Sequence, residues 1–155
     1  MAFFFHSKIN DPKRMLEFLE CEEIKKSKGS PIYFEVDYAL NICKQKEKEQ
    51  MDELNRKRLL AQRLQSSGGA QGDTESEIQK LRDQILVQKK AQIIIYAILN
   101  HFDKAVKIAL ECGDVDMAKQ YANKPEDKKI KKKLWMKIAK YLFNYQGKKK
   151  NKSGN

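Results

Sequence analysis

His101 and Asp103 stand two residues apart, Cys112 precedes Gly113, and SSGGAQG fills positions 66–72. These are residue types from which a general base, a nucleophile or a phosphate loop is built, yet none completes its set. A base and an acid two residues apart at a helix start do not face each other, because helical neighbours lie three and four residues apart, and no activated nucleophile accompanies them. His101 is therefore expected to be structural or at the surface. Cys112 reads as a small residue closing a turn, since a reactive thiol needs a cationic, exposed setting. The glycines lack the Gly-Lys-Ser/Thr ending with which a phosphate loop reaches phosphate and magnesium. No catalytic residue, cofactor, metal site or small-molecule substrate is expected.

Lysine is the chemistry that remains. The chain of 155 residues carries a net charge of +11, and from Lys124 to Asn155 twelve lysines stand against only Glu126 and Asp127. Lys128, Lys129, Lys131, Lys132, Lys133 and Lys137 thus mark a candidate surface for an anionic partner, whether nucleic acid, an anionic membrane or an acidic protein. Trp135 and Tyr141 add rings suited to stacking or to a membrane interface. The competing reading is a solvated helix face followed by a basic disordered tail at 146–155, with Trp135 used for packing beside Leu134 and Ile138. Together with Lys140 these lysines spread around more than one helix face. That spread predicts weak, salt-sensitive, sequence-independent binding rather than a specific nucleic-acid site.

The elements that position these residues are read as helices. The chain has three prolines and seven glycines, all at expected breaks. Pro12 opens a first helix with Met15, Leu16, Phe18 and Leu19 on one face, ending near Cys21 to Ile24. A second begins near Phe34 with Val36, Ala39, Leu40 and Cys43, and continues as a charged stretch whose apolar positions Met51, Leu54, Leu59, Leu60 and Leu64 are scattered. SSGGAQGD at 66–73 is the flexible tip, Thr74 with Glu77 fits a capping box, and Ile78, Leu81 and Ile85 start the returning helix. Residues 44–90 form either a charged helical hairpin or a disordered insert.

Beyond the hairpin the helices shorten. Phe102, Ala105, Val106, Ala109 and Leu110 make one apolar face, Gly113 ends it, and Val115, Ala118, Tyr121 and Ala122 make the next. The small alanines let two helix axes approach as an antiparallel pair, which needs further neighbours to cover its remaining faces. Pro125 opens a third helix, with Glu126 and Asp127 in its first turn and a buried stripe of Ile130, Leu134, Ile138, Ala139 and Leu142. The expected fold is all-α: an α-solenoid of short antiparallel helix pairs with an inserted charged helical hairpin. Its parts are a first helical-repeat portion at 1–43, the insertion at 44–90 with tip 66–73, a second repeat at 91–145, and the tail. Ala105, Ala109, Leu110, Ala118, Ala122, Leu134, Trp135, Ile138 and Ala139 are the expected helix-packing residues.

Three widely spaced cysteines, Cys21, Cys43 and Cys112, suggest neither a disulfide framework nor a metal site, and point to a reducing compartment. MAFFFHSK lacks the pattern of an export signal, and no apolar run is long enough to cross a bilayer, so a soluble chain is expected. The sequon Asn151-Lys152-Ser153 is read as chance.

In order and spacing, FDKAVKIAL, GDVDMAKQYA, KPED and KKLWMKIAKYL resemble the clathrin heavy-chain repeat of the vacuolar protein sorting-associated protein 18 family. The matching positions are Ala105, Ala109, Leu110, Asp114, Asp116, Ala118, Lys119, Pro125, Leu134, Trp135, Lys137, Ile138 and Ala139. MLEFLE at 15–20 and DYALNIC at 37–43 are similar to two preceding helices. The family passes between these blocks in far fewer residues than 44–90 contain, which makes that stretch an insertion. Its propeller and RING-type zinc domain have no counterpart here, so an excised or truncated solenoid segment is expected. The resemblance implies a non-enzymatic scaffold in the HOPS and CORVET complexes, which tether endosomal, lysosomal or vacuolar membranes before fusion. It further implies other tethering subunits as partners and a cytoplasmic, membrane-peripheral location. The alternatives are a basic helical nucleic-acid-binding protein and a peripheral protein held directly on anionic membrane.

Overall fold

A computed structural model describes residues 12–32, 35–68 and 72–153, and among them the regular elements are six α-helices. They are α1 (Pro12–Ser27), α2 (Val36–Ser67), α3 (Gly72–Ile98), α4 (Phe102–Glu111), α5 (Val115–Ala122) and α6 (Lys128–Ser153). The chain divides into two compact units, Met1–Ile95 and Tyr96–Asn155, with the division inside α3. Neither residue 44 nor residue 90 interrupts a helix.

In the first unit α1 buries Met15 and Leu19, and α2 buries Ala39, Leu40 and Cys43, at the periodicity expected of amphipathic helices. α1 outlasts its expected end because Lys25 and Lys26 favour helix, and the turn closes only at Gly29, whose φ is +85°. The region where the second helix was expected to begin includes residues 33–34, which lie outside the described residues. The long charged stretch does have a core. Leu54 from α2 meets Ile78, Leu81 and Ile85 from α3, with Ala61 against them, so the two helices form a hairpin. Met51, Leu59 and Leu60 remain exposed.

The hairpin is also tied by polar contacts. Lys57 Nζ lies 2.6 Å from Glu77 Oε2, and Glu47 accepts from Gln92 and pairs with Lys89. Glu77 is thereby engaged across the hairpin, held below the usual carboxylate range by the Lys57 hydrogen bond and charge. The capping box is not formed: α3 begins at Gly72, which leaves Thr74 within the helix. Ser66 and Ser67, expected in the flexible tip, belong to α2, whose cap is Gly68 at φ 74°, and the tip residues 69–71 lie outside the described residues. Serine costs a helix end only a few tenths of a kcal/mol, about the scale of one tertiary contact.

In the second unit α6 begins at Lys128, not Pro125. Asp127 accepts from the Lys129 backbone N–H at 2.9 Å and so caps the helix from outside it. α6 then runs through Gly147 to Ser153, where a disordered tail was expected. One glycine costs about 1 kcal/mol in a helix, and the flanking lysines favour that state.

Candidate functional site

The CGD step between α4 and α5 is built from two caps sharing one residue. Gly113, at φ 76°, donates to Leu110 O at 3.0 Å, and Asp114 N–H donates to Ala109 O at 2.9 Å, which closes α4 in a Schellman turn. The Asp114 side chain then accepts from the Met117 N–H at 3.0 Å and starts α5. Asn100 makes the equivalent left-handed turn at the end of α3, at φ 64°, with His101 N–H donating to Tyr96 O at 2.8 Å. Asparagine tolerates this conformation at low cost.

These turns fold α4 back on α5. Ala105, Ala109, Ala118 and Ala122 are fully buried and Leu110 nearly so, as close approach of two helix axes requires. Both helices also pack on α6. Leu134 and Ile138 are the buried positions of α6, at 2% and 1% exposure. Trp135 is only half-buried, and its indole N–H donates to Asn123 Oδ1 at 3.0 Å, tying α6 to the residue that ends α5. Ile130 and Ala139 are exposed and Leu142 is half-buried, so the expected stripe is narrower than its sequence suggested. Ile130 precedes Leu134 by four residues but sits in the first turn of α6, where it lines an open groove instead of a closed interior. Ala139 lies on the opposite side of the helix from Leu134.

A groove of about 540 Å³ opens along this edge, between the start of α4, the α5–α6 turn and the first turns of α6. Phe102, Pro125, Ile130 and Leu134 supply apolar lining, while Asp103, Glu126, Asp127, Lys133 and Lys137 bring both signs of charge. His101 is exposed, stacks edge-on to Tyr96 at 6.4 Å, and serves the turn into α4. Cys112 caps α4 and is half-buried. Cys43 is buried, and burial pushes its thiol up to about 12, with the Glu47 carboxylate adding to the effect. Such a thiol is not a nucleophile near neutrality.

Of the six candidate lysines, Lys128, Lys129, Lys132, Lys133 and Lys137 are exposed and Lys131 is half-buried. They do not converge on a single point. α6 carries no acidic residue from Lys128 to Ser153, and its last turns lie beyond the positions whose side chains are described. Sequence reasoning missed Asn123 as the partner of Trp135. The only signal for it was an asparagine one residue past a helix end, a position that such residues occupy for many reasons.

Short antiparallel helices packed edge to edge, joined by tight turns and offering a further groove, define an α-solenoid segment. Residues 79–143 match the family model described as VPS18, alpha-solenoid domain, second half. The chain is 43% identical over 54 residues to the vacuolar protein sorting-associated protein 18 homolog of Danio rerio, covering 34% of this chain and 5% of that protein. It is 37% identical over 57 residues to the vacuolar membrane protein pep3 of Schizosaccharomyces pombe, covering 36% of this chain and 6% of that protein. The aligned part is thus a small fraction of these curated relatives. No solved structure matches the chain. Residues 79–143 form a VPS18-like α-solenoid segment. The match begins inside α3, within the stretch read as an insertion, so family-like sequence starts earlier than the expected residue 91. No helix among the described residues is long and apolar enough to cross a membrane.

Proposed function

We propose that this chain acts as a scaffold segment of a vacuolar or endolysosomal membrane-tethering subunit, of the kind that works in the HOPS and CORVET complexes. The observation that carries this reading is the coincidence of the family match with the packed α4–α5–α6 unit. Its alanine-lined interior makes a stiff element, and its open groove offers apolar area to a neighbour. The partners would be other tethering subunits, held by protein–protein contact. On this reading the chain works without catalysis on the cytoplasmic side of endosomal, lysosomal or vacuolar membranes, peripherally and through its complex.

Affinity capture of the tagged chain at physiological salt, after nuclease treatment, tests it. Tethering subunits are expected in the eluate and should remain when Lys148, Lys149 and Lys150 are reversed to glutamate. Submicromolar, sequence-selective nucleic-acid binding at the same salt, with no tethering subunit recovered, overturns the reading and favours a nucleic-acid-binding protein.

A further inference from the structure

The side of α6 turned away from Leu134 and Ile138 carries a second pattern. At 100° per residue, Lys129, Lys132, Lys133, Met136, Lys140 and Phe143 fall within an arc of about 100°. All six are exposed, Met136 at 52% and Phe143 at 77%. Met136 and Phe143 are two turns apart, about 10 Å along the axis, and lysines flank them on both sides. Among the described residues none of these four lysine side chains is held in an ion pair or hydrogen bond. The lysines therefore do gather on one face to a greater degree than their spread in sequence implied, with two large apolar groups between them.

The chemistry of this face selects its partner. It is convex, and the groove lies along a neighbouring side of the same helix, meeting this face only at Lys133, so the stretch around Met136 and Phe143 receives no inserted side chain or helix. Its lysines could reach phosphates or a guanine edge, but it offers no asparagine, glutamine or arginine beside them, a single ring makes no stacking platform, and nucleic acid would leave Met136 and Phe143 without an apolar partner. A second copy of the face would repel the first. A planar anionic surface with an apolar layer beneath it satisfies both halves of the pattern. Lysine stems lie along the boundary with their ammonium groups among the headgroups, and the phenylalanine and methionine enter below them.

We propose that the outer face of α6 docks directly onto an anionic bilayer. Phe143 and Met136 enter the boundary between headgroups and acyl chains, and Lys129, Lys132, Lys133 and Lys140 hold the anionic headgroups. The argument rests on α6 alone and stands whether or not the chain joins a tethering complex.

The test is co-flotation of the full chain with phosphatidylcholine vesicles that contain or lack about a third phosphatidylserine, at about 0.1 M salt. Binding is expected only to the anionic vesicles. Each lysine near such a surface contributes about fivefold in affinity, so K129E/K132E/K133E/K140E should abolish flotation. M136S/F143S should weaken it by about tenfold, with the helical signal and melting temperature unchanged because both side chains are exposed. In a W135F/F143W chain, emission should shift to the blue and be quenched by brominated acyl chains on anionic vesicles alone. Absence of flotation with anionic vesicles overturns the proposal. So does flotation that survives the four charge reversals, or that is indifferent to M136S/F143S. Preferential binding of a homopolymeric RNA at the same salt, equally indifferent to M136S/F143S, assigns the lysines to nucleic acid instead.

Discussion

Trp135 distinguishes a wedge between helices from a clasp on their edge. A large aromatic fully buried between helix pairs would cost about 3–5 kcal/mol on truncation to alanine. The structure lowers that figure, because Leu134 and Ile138 fill the interior while Trp135 is half-buried and reaches Asn123 at 3.0 Å. Half the burial of an aromatic side chain is worth about 1–1.5 kcal/mol, and an exposed hydrogen bond adds about 0.5–1. Trp135→Ala should therefore cost about 2 kcal/mol, or about 4–8 °C in melting temperature for a chain of this size. Trp135→Phe keeps most of the area and loses the donor, so about 1 kcal/mol is expected. Asn123→Ala should cost less, and the two changes together should couple by about 0.5–1 kcal/mol in a double-mutant cycle followed by far-ultraviolet circular dichroism in urea. A Trp135→Ala loss above about 3 kcal/mol with no coupling to Asn123 would refute the clasp and restore the wedge.

Four further expectations follow from the packing. Because burial raises the Cys43 thiol from an ordinary 9.0 to about 12, its contribution to stability should be complete below about pH 9 and lost as pH rises toward about 12; urea midpoints across that range should fall more steeply for the native chain than for Cys43→Ala. Ala109→Leu places extra methylenes where the α4–α5 contact leaves no exposed surface, and should cost about 1–3 kcal/mol by thermal melting. Gln88 is 1% exposed with its side-chain oxygen unpartnered, so Gln88→Met should raise stability by about 1 kcal/mol in urea unfolding. Replacing residues 46–88 by a short Gly/Ser linker removes the Leu54–Ile78–Leu81–Ile85 cluster whole and should leave the helices beyond residue 96 folded; a fall in melting temperature beyond about 10 °C would show that they depend on the hairpin.

The alanine pattern of α4 and α5, and the turns between them, were legible in the sequence because each is a local signal. Gly113 supplies the left-handed turn and Asp114 the cap, and both act within one helical turn of themselves. The hairpin was legible as helix but not as packing. Its polar contacts join residues as distant as Glu47 and Gln92, and no local rule couples those positions. Helix ends were misplaced wherever good helix formers lay beside a turn residue, as Lys25 and Lys26 do before Gly29 and as the lysines do around Gly147. α6 shows the same limit in a different form. Apolar residues recur around much of its circumference, and composition alone does not say that Leu134 and Ile138 face inward while Met136 and Phe143 face water. Only the position of α4 and α5 breaks that degeneracy. Once it is broken, the apolar residues left outside, on a face with lysines and no carboxylates, become the part of the helix whose purpose internal packing does not explain.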